Sequence, residues 1–189
     1  DFGVKLIEKM NTYIALLRGI NVSGQKKILM ADLKEHLKEL NFKNVQTYIQ
    51  SGNVIFEYKA VSTGYLQNMI EKKLLEKYGF QVSTIVKTPS DMVQVLANNP
   101  FLNDPNKDQN RTYITFLSEV PSSENSRKLE NIDHRPEEFV LDGKNIYFFS
   151  PNSYGRAKMN NNFFESKLKV IASTRNLKTV TKLAGESEM

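Results

Sequence analysis

VQTYIQSGNVIFEY, residues Val45–Tyr58, reads as two strands folded back on each other. Val45–Gln50 and Asn53–Tyr58 are rich in β-branched and aromatic residues, and the Ser51-Gly52 pair between them has the length of a two-residue hairpin turn. Upstream, Met30, Leu33, Leu37 and Leu40 recur every three or four residues, which places them on one face of a helix. Before that helix, TYIALLR (Thr12–Arg18) is a continuous apolar run suited to a strand buried on both faces. Downstream, Leu66, Met69, Ile70, Leu74 and Tyr78 form a second helical stripe, with Gly79 at the position of a C-cap glycine. QVSTIVK (Gln81–Lys87) then supplies another strand. The order is β-α-β-β-α-β, the ferredoxin-like unit.

The second half repeats that order. A bridging helix is expected from Thr88 as N-cap, with Pro89 at its first position and Asp91 in its first turn, ending at Asn99-Pro100. NNPFLNDPNKDQN (Asn98–Asn110) has the Asn, Asp and Pro content of a boundary loop. RTYITFLS (Arg111–Ser118) reads as a strand, followed by a helix from Ser122 carrying Leu129 and Ile132. Phe139–Leu141 and Asn145–Phe149 read as strands joined at Asp142-Gly143 by a type I′ turn. A helix with Phe164, Leu168 and Ile171 on one face, a short strand at Ala172–Thr174 and a last helix with Val180 and Leu183 complete the series. The expected fold is therefore α+β, two ferredoxin-like β-α-β-β-α-β subdomains packed together. Residues 1–9 are set aside as an upstream extension, because Met10 reads like a start. The expected divisions are 10–98 for the first subdomain with the bridging helix, 99–110 for the boundary loop and 111–189 for the second subdomain.

Composition narrows the function classes. The chain has no cysteine, which removes disulfides, thiolate metal sites and a cysteine nucleophile and fits a reducing compartment. No apolar run reaches the roughly 18 residues that span a bilayer, and no secretory pattern opens the chain, so a cytoplasmic location without membrane partners is expected. The net charge of +5 favours anionic partners, but the lysines are dispersed rather than blocked, so nucleic acid is not the favoured one. His36 and His134 lie in polar stretches without a second histidine at ligand spacing; both are expected to be solvated, and no metal is expected. There is no G-x-S-x-G elbow, and no strong base or nucleophile stands out, so any catalysis would rest on positioning and electrostatics.

Four polar segments fall at predicted strand ends or helix starts. RGINVSGQKK (Arg18–Lys27) leaves a buried strand and enters a helix; Gly19 and Gly24 free its backbone, and Arg18, Lys26 and Lys27 give it charge. Its glycines match the spacing of a phosphate loop, but Gln25 stands where that loop needs lysine and Lys26 where it needs Ser or Thr. QSGN (Gln50–Asn53) is a hairpin tip whose polar side chains line a pocket if another loop lies close. YGRAK (Tyr154–Lys158) and STRN (Ser173–Asn176) each hold an arginine able to grip a carboxylate or phosphate, and Asn176 is a natural N-cap. The candidate ligand-binding set is Arg18, Asn21, Gly24, Gln50, Ser51, Asn53, Arg156, Lys158, Arg175 and Asn176. The expected ligand is an anionic, phosphorylated small molecule. The alternatives are a nucleic-acid or protein interaction module using a basic surface, and a purely structural role in which the segments are turns and caps.

YIALLRGINVSG (Tyr13–Gly24), MADLKEHLKELNFKNVQTYIQSGNVIF (Met30–Phe56), NNPF (Asn98–Phe101), GRAK (Gly155–Lys158) and STRNLKTVTKL (Ser173–Leu183) occur together in one order. In that order they resemble the bacterial family known as domain of unknown function 1697, over about Met10 to Gly185. The resemblance implies an α/β protein with no assigned biochemical role. The chain departs from the family pattern at Ser23 (usually glycine), Ala157 (serine) and Leu177 (tryptophan), so the backbone freedom, hydroxyl contact and stacking those residues would supply are not carried over.

Overall fold

A computed structural model describes residues 7–187. Residues 1–6 of the expected extension lie outside the described residues. The chain forms two compact units, Asp1–Thr88 and Pro89–Met189.

The first unit runs β1 (Met10–Leu17), α1 (Met30–Lys38), β2 (Lys43–Tyr48), β3 (Asn53–Lys59), α2 (Thr63–Tyr78) and β4 (Thr84–Lys87). Its antiparallel sheet has the order β2-β3-β1-β4. β1 is central and Tyr13–Leu17 are all buried, as the unbroken apolar run requires. The pleat sends Tyr13, Ala15 and Leu17 to the same face as Val54, Phe56 and Val86, where they meet Leu33 and Leu37 of α1 and Leu66, Ile70 and Leu74 of α2. Phe42 stacks on Phe56 with ring centroids 4.2 Å apart. α2 starts where the Ser62 hydroxyl accepts the Tyr65 N–H and stops at Gly79, φ 74°, the expected C-cap.

The second unit contains α3 (Pro89–Ala97), β5 (Thr112–Leu117), α4 (Ser123–Ser126), β6 (Glu138–Asp142), β7 (Asn145–Phe149), α5 (Asn161–Leu168), β8 (Ala172–Asn176) and α6 (Leu177–Ser187). Its sheet order, β6-β7-β5-β8, repeats that of the first, so the expected pair of β-α-β-β-α-β units is present. Tyr113, Leu117, Ile146 and Phe148 face Leu129, Met159, Phe164 and Leu168 in its helix-covered core.

Several boundaries differ from the sequence reading. The units divide between Thr88 and Pro89, so the bridging helix α3 belongs to the second unit, where it packs on α6, and residues 99–110 lie inside that unit. The helix expected from Ser122 is one turn, followed by a 3₁₀ turn at Arg127–Leu129, and Ile132 lies beyond both. Ile171 is 37% exposed, because α5 ends at Leu168 with Lys169 left-handed at φ 58°. Asp142 pairs with Asn145, so the second hairpin turns on Gly143-Lys144; only Gly143 has positive φ, the pattern of a type II′ rather than type I′ turn. The first hairpin has a four-residue tip, Ile49 to Gly52, because Tyr48 pairs directly with Asn53.

Glu39, at the end of α1, ties that helix to α2: its Oε2 is 2.8 Å from Lys73 Nζ and 3.1 Å from Lys77 Nζ. Hydrogen bonds from Lys73 and then Lys77 hold its carboxyl down from 4.5 to about 2. A carboxyl with a depressed folded-state pKa contributes stability above its unfolded value and loses it as pH falls through the folded value. The tether is therefore complete above pH 4.5 and is lost as pH falls toward about 2. A carbon-detected NMR titration of Glu39 should show a midpoint near 2, moving upward in Lys73→Ala; a wild-type midpoint at 4.5 would contradict the ion pair.

Candidate functional site

Four strand ends converge at one end of the first sheet. Asn53 lies opposite both Leu16 and Tyr48, and Leu17 lies opposite Thr84. Antiparallel pairing therefore brings the β1–α1 loop, which follows Leu17, to the β2–β3 hairpin tip. Arg18, Asn21 and Gly24 from the loop and Gln50, Ser51 and Asn53 from the hairpin are in this way gathered at one edge.

Asn21 joins the two segments. Its Nδ2 donates to the Ile28 carbonyl at 2.9 Å and to the Gln50 carbonyl at 2.9 Å, while its Oδ1 accepts the Ile28 N–H at 2.9 Å. The Asn21 N–H donates to the Lys26 carbonyl and the Gln25 N–H to the Val22 carbonyl, closing a small turn over 21–26. Lys26 Nζ donates to the Gln81 carbonyl at 2.7 Å, and the Arg18 N–H to the Ser83 carbonyl at 2.8 Å, so the loop is also fastened to the approach to β4. Across the tip, Asn53 Nδ2 donates to the Tyr48 carbonyl and to Ser51 Oγ, each at 3.0 Å. Asn21 and Asn53 thus act as clips that hold backbone in place, a role the sequence reading did not assign them.

Positive-φ backbone recurs in the same place, although the most disfavoured non-glycine backbone, Ser153 at φ 79° and ψ 153°, lies in the second unit. Gly19, Asn21, Ser23, Gly24 and Lys26 in the loop, and Ile49 and Gly52 in the tip, all have positive φ. Within the loop and tip, Ile49 at φ 53° is the extreme case, since a β-branched residue in that region is strained by about 1–2 kcal/mol. Gly52 is required twice over: its φ is 81°, and a Cβ there would lie 2.7 Å from Ile20 Cδ1 and 2.8 Å from Leu17 Cβ. Residues 18–31, 43–54 and 79–86 contain no Asp or Glu, whereas Arg18, Lys26 and Lys27 are cationic; the carboxylate of Glu71 in α2 does reach these segments, where it accepts the Thr84 N–H at 2.8 Å. Lys26 and Lys27 are exposed and Arg18 is half-buried.

The remaining candidates lie in the second unit and are not gathered in the same way. Arg156 and Lys158 are exposed. The N–H groups of Lys158 and Met159 donate to the two carboxylate oxygens of Glu137, at 2.8 and 3.0 Å, so this glycine loop cradles the chain's own anion. Nothing in the local sequence marked Glu137, which lies about twenty residues away. Arg175 is only 7% exposed, with Nη1 donating to Ser173 Oγ and to the Thr174 carbonyl, each at 2.9 Å. Burial pulls its guanidinium down to about 10, with the charge of Tyr154 acting in the opposite sense. Thr174 faces the helix-covered core, where its hydroxyl meets Tyr154, so the pleat turns Arg175 to the other face of the sheet from the one on which Ala157 and Met159 pack. Asn176 Oδ1 accepts the Thr179 N–H at 2.8 Å, the N-cap of α6 that the sequence suggested.

Neither histidine is simply solvated. His36 sits edge-on to Tyr78, ring centroids 5.5 Å apart, with its side chain 20% exposed; His134 sits edge-on to Phe163 at 5.4 Å. Both were read as polar-stretch residues because the aromatic partner is remote in sequence. Among the described residues, no group of three His, Asp or Glu side chains is placed to hold a metal ion, and no helix is long and apolar enough to cross a membrane.

The chain belongs to the family described as Protein of unknown function (DUF1697), whose pattern matches residues 10–147. Among solved structures it is similar to the conserved bacterial protein SP0830 from Streptococcus pneumoniae, at 27% identity and a TM-score of 0.75, over 95% of this chain and 99% of that one. No curated protein matches the chain.

Three substitutions test the construction of the loop and tip. Asn21→Ala strips the Ile28 N–H and two carbonyls of their partner and should cost about 1–3 kcal/mol in urea unfolding. Gly52→Ala adds left-handed strain and a collision with Leu17 and Ile20 and should cost about 2 kcal/mol or more. Gly24→Ala, with open space around it, should cost about 1 kcal/mol. Equal costs at Gly52 and Gly24 would contradict the close approach at the tip.

Proposed function

We propose that the protein binds a phosphorylated small molecule at the end of the first sheet where the β1–α1 loop meets the hairpin tip. One observation carries the reading: positive-φ backbone and the exposed ammonium groups of Lys26 and Lys27 coincide at a single edge, where neither the loop nor the hairpin tip contains an acidic residue. Residues held in sparsely populated φ/ψ regions persist where the surrounding structure over-determines them, and they cluster at ligand clamps. Here Asn21 and Lys26 supply the fastening. Arg18, Lys26 and Lys27 attract the anion; Gly24, Gln50 and Ser51 border it; Asn21 and Asn53 hold the frame. An ammonium has three N–H donors, so the bond from Lys26 to Gln81 leaves it able to serve a phosphate as well.

In the second unit, the Glu137 carboxylate already occupies the Lys158–Met159 amides, and this favours a self-contained structural role for that loop. The alternative for the first unit, that the loop and tip are only turns and clips, is favoured by the three backbone hydrogen bonds of the Asn21 carboxamide. Thermal-shift titration with pyrophosphate and with phosphorylated metabolites separates the two. A ligand at a hundredfold excess over its Kd should raise stability by about 2.7 kcal/mol. Arg18→Ala or Lys27→Glu should weaken that ligand roughly tenfold to a hundredfold, while His36→Ala should leave its affinity unchanged. No stabilisation by any phosphorylated compound, or full binding by Lys27→Glu, would return the segment to the turn-and-clip reading.

A further inference from the structure

Charge and strain do not exhaust this edge. Val22 is 59% exposed, Leu29 68% and Ile49 49%. The three are not scattered. The Asn21 carboxamide is bonded to Ile28 and to Gln50, and Val22, Leu29 and Ile49 are the chain neighbours of Asn21, Ile28 and Gln50. Each of the three exposed aliphatic residues is therefore one residue along the chain from Asn21 or from a residue that its carboxamide holds. Ile49 is also the residue held at φ 53°, a conformation that a β-branched residue rarely adopts. Lys26 and Lys27 lie on the same loop. Exposed aliphatic residues and cations on one loop and tip, with no acidic residue in either segment, suit a ligand that is apolar at one end and anionic at the other.

We infer that the phosphorylated ligand is a nucleotide, its base covered by Val22, Leu29 and Ile49 and its phosphate held by Lys26 and Lys27. The inference rests on the phosphate-binding reading above and adds the second half of the molecule. A base has flat apolar faces and a polar edge; Gln50, exposed beside Ile49, has a carboxamide able to donate to and accept from that edge. An aliphatic surface of this kind would gain nothing from pyrophosphate and a measurable amount from a purine ring.

The test measures the affinities of AMP, ADP, adenosine and pyrophosphate by isothermal titration calorimetry on the full chain, wild type and Ile49→Gly. The glycine variant removes the side chain and accommodates the positive φ, and its affinity for pyrophosphate reports whether the loop and tip stay intact. The expected result is that AMP or ADP binds at least about tenfold more tightly than either pyrophosphate or adenosine. Ile49→Gly should then weaken the nucleotide about fivefold to tenfold and leave pyrophosphate unchanged. If pyrophosphate binds as tightly as the nucleotides, the nucleotide inference is overturned and phosphate binding stands. If none of the four binds, or if adenosine binds as well as AMP, the inference fails together with the phosphate reading for these ligands.

Discussion

The Asn21 carboxamide makes three hydrogen bonds to backbone, two of them to Ile28 and one to Gln50 across the gap between loop and hairpin. The other features of this edge rest on that contact. It fixes the path of residues 21–28, so that Lys26 reaches the Gln81 carbonyl. It draws the hairpin tip against the end of β1, where Gly52 fits against Leu17 and Ile20 only because it has no side chain. The strain at Ile49 is tolerated because both sides of it are anchored, by the Tyr48–Asn53 pair on one side and by the bond to the Gln50 carbonyl on the other. A clip of this kind converts a glycine-rich loop, flexible by composition, into a fixed platform of amides, ammonium groups and apolar side chains.

The two units share a construction but not this edge. In both, an outer strand is closed by a side chain from a helix of the same unit. The N–H groups of Thr84 and Val86 in β4 donate to Glu71 and Gln67 of α2, and the Ala172 N–H in β8 donates to Glu165 of α5. Such pairing covers part of an edge that would otherwise be open to pairing with another strand. The strand-to-helix connection, by contrast, is a twelve-residue cationic loop after β1 but only Ser118–Ser122, with Glu119 in it, after β5. The helix that follows β5 is a single turn. The same strand order thus serves as scaffold in both units, and the long cationic loop belongs to the first.

Much of the scaffold was legible because apolar periodicity is a local property. TYIALLR, the stripe from Leu66 to Tyr78, Gly79 and Asn176 all took the positions their residue types favour. The misread boundaries share a cause. Ile171 and Ile132 continued a helical spacing, but left-handed Lys169 and the break at Glu130 end the helices first, and neither residue type advertises that. At the candidate site, the cationic loop was visible as a glycine and lysine pattern. The clip was not, because an asparagine that bonds to a backbone group 29 residues away looks the same in sequence as one that bonds to solvent. Ile49 carried no signal either, since isoleucine is the residue a strand would be expected to contain there. For Arg175, the alternation of β8 decided the outcome: one residue earlier or later it would have faced the helix-covered core.

The most direct test of the account is where an anion perturbs the backbone. Amide chemical shifts recorded during a pyrophosphate titration of the isotope-labelled chain should move most at residues 18–27 and 49–52, and these shifts should disappear in Asn21→Ala, which keeps every cation but releases the loop from the tip. Shifts concentrated at Lys158 and Met159 instead, or an unchanged response in Asn21→Ala, would contradict it.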